Sequence, residues 1–261
     1  MEKFPKITIV TPNRNGSAFL EQTILSVTGQ GYPNLEYILI DGDSSDNSRE
    51  IIQKHSPGIT FWESSSDNGL YHALQKGFDR STGEIMGWIN SDDLLLPGSL
   101  FSVAEIFSLS GEIEWVQGHP VVVDEAGRYV YQRPPVYEPE HFLSKKYHDG
   151  RFIQQESTFW RRSLWEKAGS FISQEYAYAG DFELWMRFFG HAQMHLVPAM
   201  LGAFRTRGIQ ISKDHYHEYL RECDIIINDI EKRNLAYAIS GFQGSNRTVF
   251  YCFQANKFLL R

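Results

Sequence analysis

The sequence predicts an α/β fold built on a mostly parallel sheet with helices on both faces, and three observations point to it. In the first hundred residues, short apolar runs alternate with stretches whose apolar residues recur at helical spacing. The apolar runs are nearly continuous, as strands buried on both faces must be, and strands that alternate with helices need the crossovers that make a sheet parallel. Each run also ends in a polar cluster, on the sheet edge where ligands bind in such folds.

The elements follow in order. KITIVTP reads as a buried strand stopped by Pro12, and SAFLEQTILSVTGQ as a helix with Phe19, Leu20, Ile24, Leu25 and Val27 at helical spacing. LEYILI, from Leu35 to Ile40, is a second strand, and Asp46 can cap the next helix over SREIIQKH. Ile59 to Trp62 is a short third strand, Gly69 to Phe78 a helix, and Ile85 to Ile89 a fourth strand. After Leu100 the alternation loosens. VQGHPVVVDEAGRYVYQRP reads as a hairpin turning near Glu125-Ala126-Gly127, with a short helix over Glu138 to Ser144 and a polar loop over Lys145 to Arg151. Ser157 to Trp160 is strand-like, SLWEKAG a short helix, Asp181 to Phe189 a helix, and His195 to Phe204 extended. Lys213 to Asn234 reads as a long helix, followed by an apolar and basic tail. No repeat or linker interrupts the chain. The expected organisation is one compound domain: a ligand-binding half over 1–100, a second half over 101–212 and a helical C-terminal extension over 213–261.

The strand ends carry the chemistry. Thr11-Pro12-Asn13-Arg14-Asn15 follows the first strand, Asp41-Gly42-Asp43 the second, Ser64 to Asn68 the third, and Asn90-Ser91-Asp92-Asp93 the fourth. Adjacent carboxylates at the end of a buried strand repel and resist desolvation unless something positive compensates them. Mg²⁺ and Mn²⁺ prefer such oxygens and keep positions open for phosphate, so Asp92 and Asp93 are candidate ligands. For an isolated Ser-Asp-Asp triplet, a solvated turn or a helix cap is the commoner role.

Bulk properties narrow the partners. The chain has 261 residues, 42% hydrophobic and 22% charged, which suits a soluble globular protein with a substantial core. Its net charge of −7 argues against nucleic acid as a partner while leaving room for phosphate ligands held by a metal or a local arginine cluster. Its 2 cysteines, Cys223 and Cys252, give neither a disulfide framework nor a metal spacing. No apolar run approaches the ~20 residues that span a bilayer, and MEKFPKITIV lacks a signal-peptide core, so a reducing, cytoplasmic location is expected. The tail GFQGSNRTVFYCFQANKFLLR mixes aromatics with Arg247, Lys257 and Arg261; a membrane surface, the core and a dimer contact are all open to it.

Five segments in order resemble the family 2 glycosyltransferases, inverting enzymes with the Rossmann-like GT-A fold. ITIVTPNRNGSAFLEQTILSV resembles the family's opening strand and helix, and LEYILIDGDSSDNSREII its second strand, acidic turn and helix. SSSDNGLYHALQKGFDRSTGEIMGWINSDDLLLPGSL is similar to the run up to its metal-binding DxD-type motif. QQESTFWRRSLWEKAGSF and AGDFELWMRF resemble its acceptor-side segment and catalytic-base helix. The resemblance covers residues 6 to about 212.

It implies a set of roles. Thr11, Pro12 and Arg14 would line the nucleotide pocket, and Asp41, also good turn chemistry, would accept from the ring N–H of uracil or thymine. Asp67 and Gly69 would lie near the ribose or diphosphate, and Lys76 matches a helix lysine that could equally be solvated. Asp93 would be the principal metal ligand, with Asp92 touching the sugar, ribose or metal shell. Ser91 stands where the family often has an acid. Glu156, Phe159 and Trp160 would face the acceptor, with the core as the other place for the two aromatics. Asp181 would take the acceptor's proton, although a carboxylate opening a helix is also a plain cap; Gly180 precedes it where the family more often has glutamate. Arg207 occupies a histidine position and could pair with the diphosphate. His215 and His217 are substitutes for that histidine or plain surface residues.

The expected activity is therefore transfer of a sugar from a UDP- or dTDP-sugar to an acceptor hydroxyl, with a divalent metal. The acceptor would be a glycan or lipid-linked sugar in bacterial surface polysaccharide or glycolipid assembly, and the tail could make a peripheral membrane contact. A catalytically inactive binding scaffold of the same fold is the alternative. A sugar-1-phosphate nucleotidyltransferase fits less well, because TPNRNGSAF offers only Gly16 and Arg14 for a phosphate loop.

Overall fold

The structure, a computed structural model, describes residues 4–133, 135–136, 138–208, 210–235 and 248–261. The chain begins β1 (Ile7–Asn13), α1 (Ser17–Thr28), β2 (Leu35–Asp41), α2 (Ser48–His55), β3 (Phe61–Ser64), α3 (Leu70–Arg80) and β4 (Ile85–Trp88). It continues with β5 (Leu94–Leu95), α4 (Ser99–Leu109), β6 (Trp115–Gln117), β7 (Val121–Val123), β8 (Tyr129–Gln132) and α5 (Pro139–Leu143). Then come β9 (Thr158–Arg161), α6 (Arg162–Lys167), α7 (Gly180–Phe189), β10 (Met194–Leu196) and β11 (Gly202–Arg205). Helices α8 (Ile211–Asp214) and α9 (Tyr216–Lys232) precede strands β12 (Val249–Cys252) and β13 (Lys257–Leu260).

The central sheet has the order β10-β6-β9-β4-β1-β2-β3. Strands β1 to β4 pair in parallel, as the alternating pattern requires. Every residue of β1 is buried, Thr8, Thr11 and Asn13 among them, as a strand covered on both faces requires. Strand β9 enters antiparallel between β4 and β6, and β10 returns parallel to β6. A second sheet, β5-β11-β7-β8, stands beside the acidic turn, and its β7–β8 hairpin reverses at Asp124–Arg128.

Two apolar layers sandwich the central sheet. One joins α3, α6, α7 and α9; the other joins α1, α2, α4 and the C-terminal hairpin. The first is built on indoles. Trp88 and Trp185 stack with centroids 5.3 Å apart, and Trp160 meets them edge-on at 5.5 and 5.7 Å. Alternation along β9 sends Phe159 into one layer and Trp160 into the other, both almost wholly buried. The acceptor contact expected of Trp160, and offered for Phe159, is therefore corrected. Both are core residues, because β9 lies inside the sheet and not on its rim.

The C-terminal extension also departs from expectation. Helix ends at Lys232, and residues Val249–Leu260 form an antiparallel hairpin. VFYC and KFLL are rich in residues that favour strands. Val249 and Phe258 are buried against the α4 layer, and the Phe258 N–H donates to Glu105 Oε1 at 2.8 Å. Arg247 lies outside the described residues. Among the described residues, no helix is long and apolar enough to cross a membrane.

Candidate active site at the carboxyl edge of the sheet

The floor of the edge is a hydrogen-bonded cradle around Asp41. Asp41 Oδ1 accepts from Asn13 Nδ2 at 2.7 Å and Ser44 Oγ at 2.5 Å; Oδ2 accepts from the Ser44 N–H at 3.1 Å and Ser64 Oγ at 2.6 Å. Three strand ends are thereby tied to one fully buried carboxylate. A carboxylate offers about four acceptor directions, and protein donors take all of them. The base-reading role expected of Asp41 is thus not one its side chain is free to play. Asp41→Ala strands these donors, and the expected loss is about 1–3 kcal/mol or more in a urea-unfolding measurement.

Asp67 has the opening that Asp41 lacks. Gly42 has no side chain, and a Cβ there would lie 2.7 Å from Asp67 Oδ2, so the glycine gives the Asp67 carboxylate its place. Asp67 Oδ1 accepts from the Gly69 N–H at 2.9 Å. Gly69 itself has φ +108, a conformation that favours glycine, and it caps α3. Lys76 is tied down at this end of the rim, donating to Ser65 Oγ at 2.9 Å and pairing with Glu63 at 3.4 Å. Just past the end of β1 Arg14 is exposed, whereas Thr11 and Pro12 are buried within the strand. The Thr11 hydroxyl lies 3.1 Å from the hydroxyl of Tyr37, a residue of the α1 layer, and is wholly buried. Asp46, expected to cap α2, accepts from the Ser17 N–H of α1 as well as from the Ser48 N–H. Against partial burial, these bonds pull its carboxyl down to about 2.

The acidic turn after β4 is held from three sides. Thr23 Oγ1 of α1 lies 3.0 Å from the Ser91 carbonyl and 2.8 Å from the Asp93 carbonyl. Ser91 packs against the turn after β1, where a Cβ on Gly16 would come within 2.7 Å of its hydroxyl. Asp93 is 1% exposed, with Oδ1 accepting from the Arg205 N–H at 2.9 Å and Oδ2 from Gln155 Nε2 at 3.0 Å. Burial, with Asp92 and Glu156 nearby, lifts its carboxyl well above the usual range. Asp92 is more open, and its Oδ2 forms an ion pair with Arg207 at 2.9 Å.

Arg205, which sequence reasoning passed over, compensates this turn. Its guanidinium donates to the Asp92 carbonyl at 2.7 Å, the Glu125 carbonyl at 2.7 Å and Gln22 Oε1 at 2.9 Å. Phe19 lies beneath both arginines, 4.8 Å from Arg205 and 5.8 Å from Arg207, so its helical position serves this cluster rather than the core. Glu156 is buried nearby, with Oε1 lacking a hydrogen-bond partner. Burial raises its carboxyl to about 7, against the pull of its own backbone N–H and Arg133.

Free oxygens decide whether this turn suits a divalent cation. Among the described residues, no three His, Cys, Asp or Glu side chains are arranged to hold one. A hard cation that keeps its waters and takes phosphate oxygens needs only one or two carboxylates. Asp92 Oδ1 meets that need, since the Arg207 pair uses Oδ2 alone. Asp93, expected to be the principal ligand, is almost wholly buried and bonded inward to the Arg205 N–H and Gln155, so it braces the turn while Asp92 faces outward.

Asp181 opens α7 on the indole-rich side. Its Oδ1 accepts from the Phe182 N–H at 2.8 Å and lies 3.2 Å from the Tyr71 hydroxyl. Burial raises its carboxyl to about 6, opposed by those contacts. Tyr71 is the second residue of α3, two after Gly69, so the contact joins the Asp67–Gly69 loop to Asp181. The preceding loop is pinned by Glu222 of α9, whose carboxylate accepts from the N–H groups of Ala177, Tyr178 and Ala179 at 3.0, 2.9 and 2.8 Å. His215 stacks on Tyr178 at 4.6 Å, and this is the role the structure gives it. His217 is exposed. Tyr71 and Glu222 were also missed, having no local motif.

Comparisons with known proteins agree with this architecture. An uncharacterised glycosyltransferase of Mycobacterium tuberculosis is 25% identical over 213 residues, 80% of this chain and 78% of the relative. The GalNAc(5)-diNAcBac-PP-undecaprenol beta-1,3-glucosyltransferase of Campylobacter jejuni is 24% identical over 225 residues, 83% of this chain and 71% of the relative. The structure of S. aureus TarS 1-349 with UDP-GlcNAc superposes with a TM-score of 0.68 at 15% identity, covering 91% of this chain and 71% of that one. The mannosyltransferase PcManGT of Pyrobaculum calidifontis, with GDP-Man and Mn²⁺, gives 0.62 at 16% identity, covering 90% and 69%. The sequence profile of glycosyl transferase family 2 matches residues 8–167, and the chain belongs to that family.

Proposed function

We propose that the protein transfers a sugar from a UDP- or dTDP-sugar to an acceptor hydroxyl with inversion, Asp181 acting as the base. The observation that carries this reading is the Tyr71 contact, which sets a half-buried carboxyl of about 6 beside the loop expected to hold the donor. A base poised near the working pH is ionised often enough to act and basic enough to accept a proton. Asp181 takes the acceptor's hydroxyl proton as that oxygen bonds to the anomeric carbon. The bond from that carbon to the diphosphate breaks, and its electron pair leaves with the nucleotide.

The rim residues divide the donor between them. Asp67 Oδ2 accepts from the ring N–H of the base, and the Asp41 cradle beneath it fixes the loop. Arg207 can exchange its pair with Asp92 for the diphosphate as the donor arrives. Asp92 would hold a divalent cation, Mn²⁺ or Mg²⁺, which would supply charge neutralisation of the leaving diphosphate. We place the buried Glu156 behind this turn rather than against the acceptor. The acceptor class follows the Campylobacter relative, whose name specifies an undecaprenol-linked glycan. For this chain we propose a glycan or lipid-linked sugar in surface polysaccharide or glycolipid assembly.

A thermal-shift series with UDP, dTDP and GDP and their sugars, with and without Mn²⁺, tests the reading. A ligand at about 100 times its Kd stabilises the native state by about 2.7 kcal/mol. UDP or dTDP with Mn²⁺ is expected to give the largest rise, and Asp92→Asn to remove the Mn²⁺-dependent part. Silence toward every nucleotide would leave only the inactive scaffold. An unchanged Mn²⁺ effect in Asp92→Asn would refute the assignment of the cation to that residue.

A further inference from the structure

Tyr71 is 5% exposed, and its hydroxyl oxygen lies 2.5 Å from the Tyr178 carbonyl and 3.2 Å from Asp181 Oδ1. Its ring rests on Gly180, where a Cβ would come within 2.8 Å of ring atoms Cδ2 and Cε2. This packing explains why glycine stands before Asp181, since a side chain there would drive the ring away. The Tyr178 carbonyl is fixed in turn by Glu222, which accepts the N–H groups on either side of it.

A phenol hydroxyl donates one hydrogen bond and can accept another. Here two acceptors compete for its single proton. While Asp181 is ionised, its charge makes it the stronger acceptor. Once Asp181 carries a proton, that O–H needs an acceptor, and the phenol oxygen is free to serve if its own proton turns to Tyr178.

We propose that Tyr71 is a positioning residue for Asp181, its hydroxyl rotating as the carboxyl gains or loses its proton. It donates to ionised Asp181. It then donates to the Tyr178 carbonyl and accepts from protonated Asp181. The proton taken from the acceptor stays on Asp181, the phenol keeps its own, and no charge reaches the tyrosine. The inference rests on Asp181 being the base.

Other groups also face Asp181. From α9 these are Tyr219, Glu222 and Cys223, and from α7 the Phe182 N–H. Burial holds the Tyr71, Tyr219 and Cys223 protons on far above neutrality, so those three stay uncharged while Asp181 titrates. The charge of Glu222 raises the Asp181 value.

The test is a carbon-13 NMR titration of protein labelled at the aspartate carboxyl carbons, with Asp181→Asn assigning the Asp181 signal. Tyr71→Phe keeps the ring on Gly180 and removes only the hydroxyl. It is expected to raise the Asp181 midpoint by about one unit or more, because the ionised form loses a donor at a largely desolvated site. An unmoved midpoint overturns the inference. Should that variant not fold, difluorotyrosine at position 71, a stronger donor of the same shape, is expected to lower the midpoint; no change there overturns the inference equally. The titration needs no turnover, so its failure is distinct from the failure of the base assignment, which Asp181→Asn activity decides.

Discussion

Asp181→Asn is expected to bind the nucleotide sugar as the wild type does and to lose about 10²–10⁴ in kcat. Asparagine keeps the shape and the bond from the Phe182 N–H but cannot take a proton. The loss therefore appears in kcat and kcat/KM together, the signature of an interaction made only in the transition state. The wild-type pH profile gives the companion result. The base must be ionised, and burial sets its carboxyl at about 6, so the rate holds above that value and falls as pH drops through it. A profile flat across that range would separate Asp181 from the chemistry.

Trp160→Ala carries the second large effect, and it falls on stability. The indole is fully buried and touches the rings of Phe78, Trp88, Trp185 and Phe188. Truncation leaves a cavity at the centre of that layer and is expected to cost about 3–5 kcal/mol in denaturant unfolding. An acceptor-binding tryptophan would instead leave stability nearly unchanged and raise the acceptor KM. The two outcomes separate cleanly.

The parallel half of the fold was legible because its signals are local. Strands β1 to β4 and helices α1 to α3 follow from short apolar runs and helical spacing, and each strand end brings its polar cluster to one edge. The rest depends on partners far away in the chain. Nothing near Thr158–Arg161 announces an antiparallel strand inside the sheet, so Trp160 looked available to a ligand. Asp41 and Asp67 are both rim aspartates in sequence. Only the positions of Asn13, Ser44 and Ser64 show that one is saturated, and only Gly42 shows that the other has room.

The adjacent carboxylates show the same limit. Asp92 and Asp93 suggested a cation because like charges at a strand end need compensation. The compensation the structure contains comes from Arg205 and Arg207, more than a hundred residues later, with Asp93 bonded inward and Asp92 paired outward. Burial of Arg205 could not be read from FRTRGIQIS, where it looks like any strand-end arginine. The departures at Ser91 and Gly180 now have physical reasons. One hydroxyl packs on the turn at Gly16, and the missing side chain makes space for the Tyr71 ring.

The central claim is that the rim holding the nucleotide sugar and the carboxyl of Asp181 form one transfer site. It is tested most directly by nucleoside diphosphate release from the nucleotide sugar that binds, followed for wild type and Asp181→Asn at equal donor occupancy with a panel of glycan and lipid-linked acceptors. The account predicts acceptor-stimulated release by the wild type and almost none by Asp181→Asn. Equal release by both proteins, or binding without release by either on any acceptor, would contradict it.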